Sequence, residues 1–275
     1  MTVPRVEASP WAAPGRRAAA LRDRHPFAAE MLTLYLALLE VWADADAAAR
    51  DVPPDALAGW AAGAVLPEVV AATRRHGPAP LAELLPAGNL DGTTELLAAW
   101  LAGDELEPVE RYLARAALRG PLAAVDAATA CAADPAPRGE RRCPRCAGPP
   151  QLSYRTDSGD TLATGSRRLQ CARCAESWSF SSSACAFCGE TAGAQRTVFA
   201  EQGGGPKVGR READGATFPH LRIEACGLCQ RYLIDVDLGR DPRAVPEVDE
   251  LAALPLDLYA AEHGYTKITP NLMGF

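Results

Sequence analysis

Apolar positions recur at helical spacing through the first half of the chain. Within residues 26–50, Leu32, Tyr35, Leu39 and Trp42 lie on one stripe, and Leu34, Leu38 and Val41 fill a neighbouring one. This helix is therefore apolar over much of its circumference and is expected at the centre of a helical core. Further helices are predicted at 54–76, 81–85, 93–101 and 105–130. The last is expected to break near Gly120-Pro121, because proline cannot donate the bond its helical position requires. Trp42, Trp60, Trp100 and Tyr112 are assigned to core packing. Residues 1–20, rich in Pro and Ala without a stable pattern, read as a loose tail or a short helix.

The periodicity changes near residue 132. A linker at 132–142 carries Pro135, Pro137 and Gly139, which disfavour helix and sheet alike. Beyond it, short alternating apolar runs predict strands at 151–155, 167–170 and 176–181, then at 195–201, 220–225 and 232–237. A polar turn at 157–160 and a Gly-rich loop at 203–215 separate the first two strands of each set. Cys-x-x-Cys knuckles punctuate the runs, so the order knuckle, strand, turn, strand, knuckle, strand occurs twice. The predicted class is α+β: an N-terminal all-α helical domain followed by two tandem rubredoxin-like or zinc-ribbon modules. The expected boundaries are 1–131 for the helical domain, 143–183 and 184–240 for the two ribbons, and 241–275 for a C-terminal helical tail.

Eight of the nine cysteines form these knuckles: Cys143/Cys146, Cys171/Cys174, Cys185/Cys188 and Cys226/Cys229. Two intervening residues let one tight turn aim both sulfurs at a single ion, and two such turns complete a tetrahedron suited to zinc or rubredoxin-type iron. Two metal ions, iron or zinc, each bound by four thiolates, are the expected cofactors. The hairpin order assigns Cys143, Cys146, Cys171 and Cys174 to one ion and Cys185, Cys188, Cys226 and Cys229 to the other, while spacing alone leaves an interleaved pairing, first knuckle with third, open. Gly189 directly after Cys188 lets backbone N–H groups approach the sulfurs, whereas Ala147 displaces the corresponding glycine to position 148. Cys131 stands apart in an Ala-rich stretch and reads as a small buried hydrophobe.

A four-thiolate ion has no vacant coordination position and so no bound water to activate. No phosphate loop or His-Glu-x-x-His motif is present, and His25, His76, His220 and His263 are scattered without a base-and-nucleophile spacing. No catalytic residues are assigned, and the chain is expected not to be an enzyme. Residues 141–240 hold 14 Lys and Arg against 10 Asp and Glu. Two divalent ions in eight thiolates would add about four negative charges and cancel that surplus. With the whole chain at formal charge −7, nucleic acid is not the expected partner, although a patch at Arg167-Arg168 or Arg210-Arg211 could survive. No stretch reads as a run of about 20 apolar residues, so no membrane insertion is expected. The Arg16-Arg17 pair is followed by charged residues instead of an apolar segment, which argues against export. Cysteines kept for metal suit a reducing compartment, and the expected location is the cytoplasm.

The flanks of the knuckles resemble those of a known family, the formate dehydrogenase accessory proteins, FdhE. The resemblance rests on Cys143-Pro-Arg-Cys146, on Leu169-Gln-Cys171-Ala-Arg-Cys174 followed by Trp178, on Cys185-Ala-Phe-Cys188-Gly189, and on Glu224-Ala-Cys226-Gly-Leu-Cys229 followed by Tyr232. Asp249, Asp257, Glu262, Gly264-Tyr265 and Pro270-Asn271 extend it to the tail, while the helical half is similar only in composition and in His25-Pro26. The resemblance implies a cytoplasmic maturation factor that binds the catalytic subunit of formate dehydrogenase and supports its assembly or activation. Alternatives from other classes are a rubredoxin-like iron electron-transfer protein and a four-cysteine zinc-ribbon nucleic-acid-binding protein. Thiol exchange is disfavoured, since the knuckles lie between strands instead of at a helix N-terminus.

Overall fold

A computed structural model describes residues 10–85, 92–131, 140–156, 165–201 and 216–274. Most of the expected linker, the polar turn at 157–160 and the Gly-rich loop lie outside the described residues. The chain clusters into two compact units, one drawn chiefly from Met1–Pro137, with Pro144–Gly148 and Leu272–Gly274, and one drawn chiefly from Pro149–Asn271.

The first unit is helical: α1 (Ala12–Arg24), α2 (Ala29–Ala49), α3 (Leu57–Ala64), α4 (Leu66–His76), α5 (Ala79–Glu83), α6 (Thr93–Ala102), α7 (Pro108–Leu118), α8 (Pro121–Ala124) and α9 (Ala127–Ala130). Prolines open α4, α5, α7 and α8 at their first or second position, where no helical N–H is required. Pro67 at the start of α4 also explains why the run expected at 54–76 divides in two. Helix α2 is the core helix, burying Leu32, Tyr35, Leu39 and Trp42 together with Leu34 and Leu38. Residues Pro26–Ala49 do reach the length and mean hydropathy, 1.3, of a membrane span, which corrects the reading that no run is long and apolar enough and leaves the expectation of no insertion standing. Packing against α1, α4 and α8 accounts for that apolar character within the helical unit.

Of the N-terminal expectation for 1–20, residues 1–9 lie outside the described residues and the rest resolves towards helix. Helix α1 buries Pro14, Arg17, Ala18 and Leu21 at helical spacing, and the preceding Trp11 donates its indole N–H to Asp46 (3.1 Å). Trp42 donates to the carbonyl of Ala116 (2.7 Å), tying α2 to α7. Gly120 marks a close approach as well as a helix break, since a Cβ there would stand 2.6 Å from the carbonyl oxygen of Trp42. Trp42, Trp100 and Tyr112 are buried, as expected; Trp60 is half-buried and lines a groove of about 420 Å³.

Among the described residues, the second unit is built on one seven-stranded sheet. Its strands are β1 (Pro150–Arg155), β2 (Arg167–Cys171), β3 (Ser177–Ser179), β4 (Arg196–Phe199), β5 (Leu221–Cys226), β6 (Arg231–Asp237) and β7 (Thr266–Lys267). They run β3-β2-β1-β6-β5-β4, with β7 also paired to β6. Each expected ribbon is present as an antiparallel three-stranded meander. The two meanders are fused through parallel pairing of β1 with β6, in which Ser153 stands opposite Asp235 and Arg155 opposite Asp237. Helices α10 (Pro246–Ala252) and α11 (Leu254–Glu262) form the expected tail, which ends in β7 and irregular chain instead of helix.

Candidate metal centres

The knuckles sit where hairpin geometry places them, one before the first strand of each meander and one between its second and third strands. In the second knuckle Cys171 accepts an N–H from Arg173 at its sulfur (3.3 Å) and one from Ala175 at its carbonyl (3.2 Å), while its own N–H donates to Glu176 (2.9 Å). The third knuckle repeats the pattern: Phe187 N–H to Cys185 Sγ (3.4 Å), Gly189 N–H to the Cys185 carbonyl (3.0 Å), and Cys185 N–H to Glu190 (2.8 Å). To close this loop, the residue after each second cysteine adopts a left-handed backbone: Ala147 at φ 58°, Ala175 at 57°, Gly189 at 84° and Gln230 at 54°. The glycine expectation therefore holds only at Gly189. Three knuckles impose the conformation on residues with a Cβ, at the modest strain such a conformation carries.

The eight sulfurs gather into two groups, Cys143 with Cys146, Cys171 and Cys174, and Cys185 with Cys188, Cys226 and Cys229, each with all sulfurs within 4.8 Å of one another. First knuckle meets second and third meets fourth, so the chain does not interleave them. Sγ–Sγ separations are 3.7 Å for Cys143–Cys174, and 3.8 Å for both Cys185–Cys229 and Cys188–Cys226. Those lengths are far beyond a disulfide, whereas a tetrahedron with metal–sulfur bonds of about 2.3 Å has edges of about 3.8 Å. The donor set, the edge length and the N–H groups aimed at sulfur all fit a four-thiolate ion, and both groups could hold one.

Electrostatics in the second group point the same way. Burial opposes ionisation of Cys185, yet the N–H groups of Cys188 and Phe187 donate to its sulfur and bring its pKa below the ordinary thiol value. Cys188 and Cys229 are pushed up, first by burial and then by the neighbouring Cys185. One sulfur is thus prepared to ionise and suppresses the next, a conflict that a cation at the centre removes by stabilising all four thiolates. The two groups differ in exposure: all four cysteines of the first are buried, whereas Cys188 and Cys229 are partly exposed. Phe187 and Leu228, inside the two knuckles of the second group, are 45% and 60% exposed.

The remaining candidates fall elsewhere. Cys131 is buried in the helical unit. Arg167 belongs to no surface patch: its side chain is buried and paired with Glu224 (2.7 Å). Arg168 donates to the Tyr154 hydroxyl and the Ser177 carbonyl (3.2 and 2.6 Å), and Arg210-Arg211 lie outside the described residues. Sequence reading missed three buried polar arrangements. His220 pairs with Asp249 (2.7 Å), whose other oxygen accepts the Val245 N–H at the start of α10. Lys267 pairs with Glu250 and Asp257, and Tyr232 donates to Asp257 (2.9 Å). Arg155, Arg167, Arg196 and Arg222 converge on Glu224 and Asp235. Apart from Arg222–Glu224, two residues apart on β5, and Lys267–Asp257, ten apart, the pairs join residues distant in the chain, so local spacing does not signal them; a Glu or Asp within an apolar strand, as at Glu224 and Asp235, is the available hint.

Comparison with known proteins agrees with the knuckle flanks. Residues 184–273 match the family model described as FdhE, C-terminal domain, a stretch holding the whole second sulfur group and the tail. The chain is 30% identical over 133 residues to a protein FdhE homolog of Aquifex aeolicus, covering 48% of this chain and 41% of that protein. It is 34% identical over 131 residues to one from Pseudomonas aeruginosa, covering 48% and 38%. The match thus spans about two fifths of those relatives' length. The fold matches the crystal structure of the FdhE protein from Pseudomonas aeruginosa with a TM-score of 0.62, at 22% identity over 96% of this chain and 95% of that one. The FdhE resemblance expected from the cysteine pairs is borne out.

Proposed function

We propose, proceeding from the FdhE resemblance, that this chain is a cytoplasmic accessory protein that binds the catalytic subunit of formate dehydrogenase and supports its assembly or activation. The observation that carries the reading is the pair of four-sulfur centres on one fused sheet, the second of which lies within the stretch matching the FdhE C-terminal domain. Residues Cys143, Cys146, Cys171 and Cys174 would hold one ion and Cys185, Cys188, Cys226 and Cys229 the other. Bound there, iron or zinc supplies a rigid crosslink between two knuckles. The chain's own contribution is to fix the sulfurs, donate N–H groups to them and leave no coordination position for substrate, which suits a binding protein better than a catalyst.

A second reading, rubredoxin-like electron transfer, draws support from the partial exposure of Cys188 and Cys229 and from apolar Phe187 and Leu228 beside them. Electron exchange needs a sulfur near the surface and a low-polarity contact. The visible spectrum of protein purified without added metal separates the two: ferric-thiolate absorption favours electron transfer, and colourless zinc-loaded protein opposes it. The accessory role is tested by deletion and capture. A strain lacking the gene should make the formate dehydrogenase catalytic subunit at normal level with lowered activity, and the purified chain should retain the immature subunit. Full activity together with failed capture overturns the proposal.

A further inference from the structure

Four arginines of the fused sheet face too few carboxylates. Glu224 Oε1 is shared by Arg155 and Arg222 (2.7 and 3.1 Å), and Oε2 by Arg167 and Arg196 (2.7 and 3.4 Å). Asp235 Oδ2 is shared by Arg155 and Arg222 (3.0 and 2.9 Å), and its Oδ1 accepts the Ser153 hydroxyl. The side chains of Arg155 and Arg167 are 9% and 1% exposed. Among the described residues, two carboxylates neutralise two of these guanidiniums and leave two positive charges over. The acceptors are crowded while donors go unused, since the buried Nε atoms of Arg167 and Arg222 have no hydrogen-bond partner among the described residues. A buried cation with unmet donors is costly unless something answers it. Burial, with the charges of Arg196 and Arg155 added and those of Glu224 and Asp235 opposing, leaves the Arg167 pKa below its ordinary value, whereas at Arg155 burial is outweighed by Asp235 and Glu224 and the pKa is raised.

Open space adjoins these groups. A cavity of about 350 Å³ is lined by Arg155, Arg196, Arg222, Ser182 and Ser183 among others, and one of about 500 Å³ by Arg155, Arg167, Ser181 and Ser182 among others. Both share Arg155 and Ser182. Glu224 also lines the smaller cavity and Glu140, an exposed carboxylate, the larger. We infer that this junction between the two meanders binds a doubly charged tetrahedral oxyanion, inorganic phosphate or the terminal phosphate of a monoester, among Arg155, Arg196 and Arg222. A dianion matches the excess of two charges over the whole cluster, Arg167 included, and guanidinium forks present paired N–H donors to a tetrahedral oxyanion. The site is separate from both sulfur groups and from the client proposed above, so it stands whether or not that client is correct.

The test is calorimetric titration of the metal-loaded full chain at constant ionic strength with inorganic phosphate, glycerol phosphate and acetate. One site per chain with a Kd of about 1 mM or tighter is expected for phosphate, and binding at least about tenfold weaker for acetate. Binding of inorganic phosphate but not glycerol phosphate identifies a free anion as ligand; equal or tighter binding of the monoester identifies a larger phosphorylated ligand. Arg196→Gln and Arg222→Gln should each weaken binding about tenfold with metal content unchanged. Should either variant fail to fold, Ser182→Asp, at an exposed position shared by both cavities, should abolish phosphate binding by occupying the site with a negative charge. No phosphate binding, acetate binding as well as phosphate, or full affinity in the folded variants overturns the inference.

Discussion

The two sulfur centres have the same ligands, the same order of knuckles and strands, and nearly the same sulfur spacing, yet they meet solvent differently. Cys143, Cys146, Cys171 and Cys174 are all buried, whereas Cys188 and Cys229 of the other centre are partly exposed behind Phe187 and Leu228. The difference lies in the burial of the knuckles, not in the ligand set. A shared ligand set thus allows divergent roles: an enclosed centre is protected from exchange and oxidation, and a partly open one is accessible to chelator, oxidant or partner.

The largest expected effect comes from removing a ligand. Cys146→Ser should cost the first centre its ion and, with it, a share of binding free energy on the order of 10 kcal/mol that is coupled to folding. Cys188→Ser should likewise reduce the metal content by one per chain, with a smaller fall in thermal midpoint, because its cysteine is the less buried. Elemental analysis alongside thermal unfolding checks both, and equal destabilisation would break the contrast between enclosed and open centres.

Next in size is the seam that joins the meanders. Glu224→Gln removes the charge that all four arginines share and should lower stability by about 3–5 kcal/mol in denaturant unfolding. A loss within about 0.5 kcal/mol would show that the meanders hold together without the ionic seam. In the helical unit Gly120→Ala should cost about 1–3 kcal/mol, because the added methyl meets the Trp42 backbone. That loss should leave metal content at both centres unchanged. Smallest is Phe187→Ser, which gives up an exposed ring with the Arg231 guanidinium 5.2 Å from its centroid. About 0.5–1 kcal/mol is expected, together with faster chelator access to the second centre alone.

The contrast between centres also shows which physics is local. Each expected strand lies within two or three residues of an observed one, because alternation and knuckle spacing act over a few residues. Helix α2 was legible from its two apolar stripes. Illegible were features made by distant segments: the parallel pairing of Ser153 with Asp235, the sharing of Glu224 by four arginines, and the His220–Asp249 pair. Helix α1 was half-legible, since its Arg-rich composition masks a stripe of only Pro14, Arg17 or Ala18, and Leu21. The left-handed backbone at Ala147, Ala175 and Gln230 runs against residue preference, and only closure of the knuckle explains it.

The most direct test of two four-cysteine centres of unequal access is the time course of metal release from the intact chain into excess chelator. The account predicts two ions per chain leaving in two phases of one ion each, with the fast phase missing in Cys188→Ser and the slow phase missing in Cys146→Ser. A single phase, or two ions retained in either variant, would contradict it.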